Sequence, residues 1–211
     1  MNQTVKETTT APQTQDEQIL VVPRTELFKN VAAWSGLKAV NFDEYLTLIQ
    51  EKKEFQPRSI METDPTYKQI IPYLVYTHEN KFFLMQRTAQ ATEKRLQNKY
   101  SLGIGGHIRQ EDMTTDSLFD WATREFHEEV SYDGKLTIEP LGVLNDDSNA
   151  VGKVHVGFVF LLHGEHSNIS VKSELKSGNL LSLDECEQYF SSMESWTQMV
   201  FTHLLQYAKN K

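Results

Sequence analysis

A single cysteine, Cys186, occurs among the 211 residues of the chain. One thiol excludes an intrachain disulfide and any zinc site built from several cysteines. Basic residues are outnumbered, with 21 Lys and Arg against 29 Asp and Glu, for a net charge of -8. Bulk nucleic-acid binding works by neutralising phosphates with Lys and Arg, so it is not expected here. A small phosphorylated ligand stays compatible with this balance, because a bound cation inverts the local sign. No apolar run approaches the roughly 20 residues that span a membrane. The start, Met1-Asn2-Gln3-Thr4, does not open a basic-then-apolar leader. The expectation is a cytoplasmic protein without membrane contact. Internal repeats and long linkers are also lacking. At this length, one ordinary domain plus an extension buries a proper core.

What the chain does have is concentrated between Gly105 and Tyr132. Gly105-Gly106-His107-Ile108 is followed by a polar loop and then by Arg124-Glu125-Phe126-His127-Glu128-Glu129-Val130. On a helix, residues three and four apart share a face, so Glu125, Glu128 and Glu129 project to one side. Like charges so placed repel by a few tenths of a kcal/mol per pair, a cost that a hard cation turns into a gain. Phe119, Ala122, Phe126 and Val130 keep helical spacing and predict the buried face. The segment reads as an amphipathic helix with its acid side toward something cationic. A Glu-x-x-Glu-Glu run alone is usually a solvated charged face. Adjacent Arg124, apolar Phe126 and the upstream Gly-Gly-His weigh against that plainer reading.

These residues resemble the Nudix (MutT-like) hydrolases. That family's box is a glycine, then a glutamate after a short spacer, then Arg-Glu-apolar-x-Glu-Glu-x-Gly-apolar. Arg124 to Tyr132 match the second half at every defined position but one, Ser131 standing where the family has glycine. If that position needs a left-handed backbone, serine costs roughly 1 kcal/mol. Seventeen residues separate Gly106 from Arg124, about four more than the family's spacing leaves. The first box acid therefore falls on Asp112 counted forward or on Asp116 counted back, and it is Asp in place of Glu either way. The resemblance covers roughly residues 67 to 190. It implies an α/β/α sandwich with a mixed sheet, and a divalent cation, Mg2+ or Mn2+, held by Glu125, Glu128 and Glu129. Glu128 is also a candidate general base, and Arg124 is expected to orient the glutamates by charge-assisted hydrogen bonds. The competing reading of Arg124 is a salt bridge to Asp120.

Other residues fill out the candidate site. Gly105 and Gly106 either let the backbone approach metal or phosphate or simply make a turn. His107 reads as structural, and Glu111, Asp112 and Asp116 as a solvated cluster by default. For a base outside the box, Asp146, Asp147, His155 and Glu174 are the candidates. Arg87, Lys94, Arg95 and Lys99 are the basic residues placed to grip phosphate, with Arg87 favoured because it ends a strand heading toward the box.

Along the chain, residues 1–17 are Thr/Gln-rich and expected to be a disordered tail. Residues 18–64 are expected to form an extension packed on a domain spanning 65–211. Ile19 to Pro23 reads as a strand, and Asn41-Phe42-Asp43-Glu44 as a capping box opening a helix with Tyr45, Leu46, Leu48 and Ile49. Tyr73–Tyr76 and Phe82–Arg87 predict strands around a turn at His78-Glu79-Asn80-Lys81. Leu136–Ile138, Leu141–Leu144 and Val154–Leu162 predict further strands, with a turn through Asn145–Asn149. Two helices close the chain, near Leu183–Phe190 and Met193–Tyr207, the second burying Trp196, Val200, Leu204 and Tyr207.

Three functions are compatible with this pattern. The first is a metal-dependent hydrolase of a nucleoside diphosphate linked to another group. The second is a non-catalytic ligand-binding regulator of the same fold; such regulators usually lose box glutamates, which this chain retains. The third resembles isopentenyl diphosphate isomerases, which rely on a cysteine near the Gly-His segment, where this chain has none. Dimers are common among Nudix proteins, so a homodimer through the extension is compatible too.

Overall fold

The computed structural model describes residues 16–89, 96–113, 118–172 and 175–209, with all side chains in these ranges except those of 118–121. Its centre is a hairpin of β4 (Tyr67–His78) and β5 (Lys81–Arg87). His78 pairs with Lys81 across Glu79 and Asn80, which have φ of 49° and 60°. That is a two-residue turn with both central residues left-handed, a conformation Asn tolerates. β4 runs well beyond the expected Tyr73–Tyr76. Ile70, Leu74 and Tyr76 fill one side of it, and Tyr73 and Val75 the other. A strand buried on both faces carries no polar alternation to mark its ends.

β10 (His155–Gly164) lies parallel to β4 and antiparallel to β9 (Leu136–Asn145). With β2 (Gly36–Lys38) and β12 (Leu175–Leu181), the main path through the sheet is β12-β5-β4-β10-β9-β2. β1 (Gln18–Pro23) pairs with both β3 (Glu54–Pro57) and β4. The short β6 (Tyr100–Ser101) and β7 (Gly103–Gly105) add to β5 and β4. Residues 18–64 therefore contribute β1 and β2 to the same sheet as β4 and β9.

Helices cover both faces. On one, Ile49 of α2 (Phe42–Lys52) and Ala122 and Phe126 of α4 (Leu118–Glu129) share a buried cluster with Leu74, Tyr76, Phe158 and Phe160. On the other, Cys186 of α6 (Leu183–Glu187) and Val200, Phe201 and Leu204 of α7 (Ser195–Lys209) meet Tyr73, Val75, Val159 and Leu161. The fold is an α/β/α sandwich around a mixed sheet. Phe126 is fully buried and stacks on Tyr76 at 6.0 Å; truncation to Ala would cost about 3–5 kcal/mol. Among the described residues no helix is long and apolar enough to cross a membrane.

Several local expectations are corrected. Asn41 does precede α2, but its amide donates to Glu44 Oε1 at 2.7 Å and makes no side-chain cap. A true capping box sits at Ser182 and Glu185, opening α6. The buried face of α7 is Thr197, Val200, Phe201 and Leu204, with Trp196 and Tyr207 at its margin. Val130 is buried but lies past the helix, in β8 (Val130–Ser131), which pairs with β11 (Ser170–Val171). Ser131 is thus extended, and it is not among the left-handed residues. The steric cost expected of serine there does not arise.

Candidate active site

The site is assembled where β7 delivers Gly105 and Gly106 to the side of α4. Gly105 pairs with Tyr73 of β4, which sets the height at which the chain leaves the sheet. At Gly106, an added Cβ would overlap Glu125 Oε1 and stand 2.8 Å from Glu125 Cδ. Glycine leaves the room in which the Glu125 carboxylate lies directly against the backbone.

α4 carries its acids round one flank of the helix, beside the stripe that Ala122 and Phe126 bury. Glu125 is largely enclosed, its side chain 16% exposed, whereas Glu128 is 54% exposed. Burial, reinforced by Glu128 and then by Glu129 against the opposing pull of Arg124, pushes the Glu125 carboxyl up to about 7. A carboxylate held in this way is relieved by a cation. Three carboxylate groups, one packed against a glycine backbone, are the oxygen donors that Mg2+ or Mn2+ takes. The residues present fit a divalent cation.

Arg124 organises these acids. Its Nη1 donates to Glu128 Oε1, its Nη2 donates to Asp112 Oδ2 at 2.8 Å, and Nη2 lies 3.8 Å from Glu125 Oε2. Asp112 also accepts from Arg109 Nε at 3.0 Å and is only 9% exposed. The solvated cluster expected in the lengthened loop is therefore corrected for Asp112, which two guanidinium groups enclose. Glu111, 64% exposed, keeps the solvated reading. Asp112 holds the position of partner to Arg124; Asp116 lies outside the described residues, as do the side chains of Phe119 and Asp120.

Arg87 is brought to the same region. Its Nε donates to Glu194 Oε1 at 2.9 Å, and Glu129 acts on it as well. Glu194 stands just before α7, and nothing in its local sequence singles it out. Lys94, Arg95 and Glu174 lie outside the described residues, while the Lys99 carbonyl accepts from the Arg87 backbone N–H at 2.9 Å.

Two of the candidate bases serve structure instead. Asp147 accepts from Arg24 at 3.0 and 2.6 Å and from the buried Lys68 at 2.8 Å. Against the upward push of burial, these bonds hold it well below the usual carboxylate range. Asp146 caps its own turn, accepting from Ser148 N at 3.0 Å and Asn149 Nδ2 at 2.9 Å. His107 is half-buried beside Gln69 and His155, so its structural reading and the His155 candidacy meet in one cluster. Cys186 is fully buried on the face opposite α4, its thiol pushed up to about 12 by burial and then by Glu185.

The fold and the glutamate helix define a Nudix-type α/β/α protein. No family model matches the chain, but individual proteins do. Protein YmaB of Bacillus subtilis (strain 168) is 34% identical over 198 residues, spanning 88% of this chain and 96% of its own. The crystal structure of Tm1382, a provisionally assigned Nudix hydrolase, superposes with a TM-score of 0.78 at 32% identity, over 90% of this chain and 100% of that one. The Nudix domain of Shewanella oneidensis NrtR, solved with ADP-ribose, gives 0.51 at 15% identity over 68% and 89%, a likeness of fold. The chain belongs to the Nudix hydrolase family.

Proposed function

We propose that the protein is a pyrophosphohydrolase dependent on Mg2+ or Mn2+, cleaving the diphosphate linkage of a nucleoside diphosphate joined to another group. The observation that carries this reading is the Glu125 carboxylate packed against Gly106, with Glu128 and Glu129 on the same helix and Arg124 across them. A divalent cation bound there would neutralise phosphate oxygens and lower the pKa of a bound water. Glu125, Glu128 and Glu129 are the residues that would hold it. Arg124 fixes the Glu128 and Glu125 carboxylates in register, and Glu128, the most exposed of the acids, is the proposed general base. Gly105 and Gly106 let the backbone reach the bound phosphate, and Arg87, steadied by Glu194, grips a phosphate oxygen.

The site is tested by phosphate release, through a coupled phosphatase, from nucleotide sugars, dinucleotides, ADP-ribose, NTPs and capped nucleotides. Each is assayed with Mg2+, with Mn2+ and with EDTA. Metal-dependent turnover of one class is the expected result, and Glu129→Gln lowers it by at least about 100-fold with the fold intact. Thermal stabilisation by one compound without turnover would replace this reading with the ligand-binding regulator. The isomerase-like alternative finds no support, because Cys186 is buried across the sheet from α4.

A further inference from the structure

A second group of metal-ligating side chains lies outside the glutamate helix. His107, one residue past Gly106, and His155, the first residue of β10, bring their Nε2 atoms to 3.2 Å. Glu62, just after α3 (Arg58–Met61), adds a carboxylate, and the three donor atoms all lie within 4.8 Å of one another. Two nitrogens at about 2.0–2.1 Å from one tetrahedral ion stand roughly 3.3 Å apart. The imidazole pair already has that spacing, and the exposed Glu62, which accepts from Arg58 Nε at 3.3 Å, would turn inward to complete it.

The surroundings are built to aim these rings. Val151 O accepts from His155 Nδ1 at 2.8 Å, which leaves Nε2 as the acceptor nitrogen facing the cluster. Hydrogen bonds to the second ring nitrogen orient metal-binding histidines in this way. Gln69, fully buried, donates through Nε2 to Met61 O at 3.0 Å, so its Oε1 is turned to His107 Nε2 at 2.7 Å. An amide oxygen is therefore at hand as a fourth donor.

We propose that Glu62, His107 and His155 form a second cation site, of zinc type, that pins the Arg58–Glu62 segment to the start of β10 and to the strand exit carrying Gly106. Two neutral imidazoles with one carboxylate suit a borderline cation better than Mg2+, which prefers oxygen and retains its waters. Because His107 adjoins Gly106, occupancy of this site steadies the backbone against which Glu125 packs. The site does not depend on the hydrolase reading. The competing arrangement keeps a proton on His107 Nε2, which donates to Gln69 Oε1 at 2.7 Å and faces His155 Nε2 at 3.2 Å.

The test uses the full chain, stripped with EDTA and titrated with ZnCl2 against a chromophoric chelator. One tight equivalent is expected in the wild type and in Glu129→Gln, and its loss in His155→Gln. Glu62→Gln changes an exposed side chain, keeps the fold and should weaken zinc binding by at least about tenfold. Co2+ added to the wild type should give the intense visible bands of a four-coordinate nitrogen and oxygen site. Absence of a tight zinc equivalent, or the weak spectrum of six-coordinate Co2+, would overturn the proposal in favour of the arrangement with the proton on His107 Nε2. Zinc lost in Glu129→Gln but kept in His155→Gln would overturn it too, assigning the metal to the glutamate helix.

Discussion

Gly106 and the Glu125 carboxylate occupy one packing site, a Cβ on the first overlapping Oε1 of the second. Gly106 is not in the left-handed region, so a side chain there strains no backbone. Gly106→Ala is expected to swing the flexible carboxylate aside and leave the fold intact. Displacement by about an ångström lowers turnover roughly 100-fold, while the melting temperature falls by less than about 4 °C. Parallel measurements of kcat and Tm check this; an unchanged rate would separate Gly106 from the reaction.

Glu125 should also make the metal-free protein sensitive to pH. Its folded pKa of about 7 lies above the ordinary 4.5, so the folded chain binds that proton more tightly than the unfolded one. The stabilisation is complete below the unfolded value and is lost as pH rises through the folded value. Melts in EDTA at about pH 5 and pH 8 should differ by up to roughly 2–3 kcal/mol from this group. Glu125→Gln should flatten the difference, and Mg2+ should restore stability mainly at the higher pH.

Asp112 keeps two guanidinium groups apart. Asp112→Ala leaves Arg109 and Arg124 facing each other without the shared carboxylate, and should cost about 1–3 kcal/mol in a urea titration. Arg124→Lys preserves the charge but not the planar fork that reaches Asp112 and Glu128 together. It should therefore lower kcat more than it raises KM.

The triad of Arg24, Lys68 and Asp147 ties the first strand segment to the turn after β9. Lys68 is fully buried and also donates to Gly152 O at 2.6 Å and His155 O at 3.0 Å. Asp147→Ala strands that ammonium and should cost about 3–5 kcal/mol. Pairing it with Lys68→Met should recover part of the loss. Since Asp147 is held low, its stabilisation is present above the ordinary carboxylate pKa and fades as pH falls through the folded value, which acid titration of the wild type against Asp147→Asn would show.

Local spacing alone carried the parts of this protein that repeat within one turn or one hairpin. The shared face of Glu125, Glu128 and Glu129, the burial of Ala122 and Phe126, and the turn at Glu79 and Asn80 follow from helical and strand periodicity over a few residues. The Nudix resemblance rested on one short motif, Arg124 to Tyr132 with Gly105 and Gly106 upstream, and the mixed sheet was implied by that resemblance. Tertiary structure decided everything that joins distant segments. Asp112 became the partner of Arg124 across 12 positions, Glu194 reached Arg87 across 107, and Asp147 met Arg24 across 123. It placed His107 beside His155, and it drew Ser131, which stands where the family has glycine, into an extended ladder with Ser170. Such contacts depend on which strands lie side by side, and strand order is set by burial of the whole sheet between two helical layers, not by the spacing of neighbouring residues.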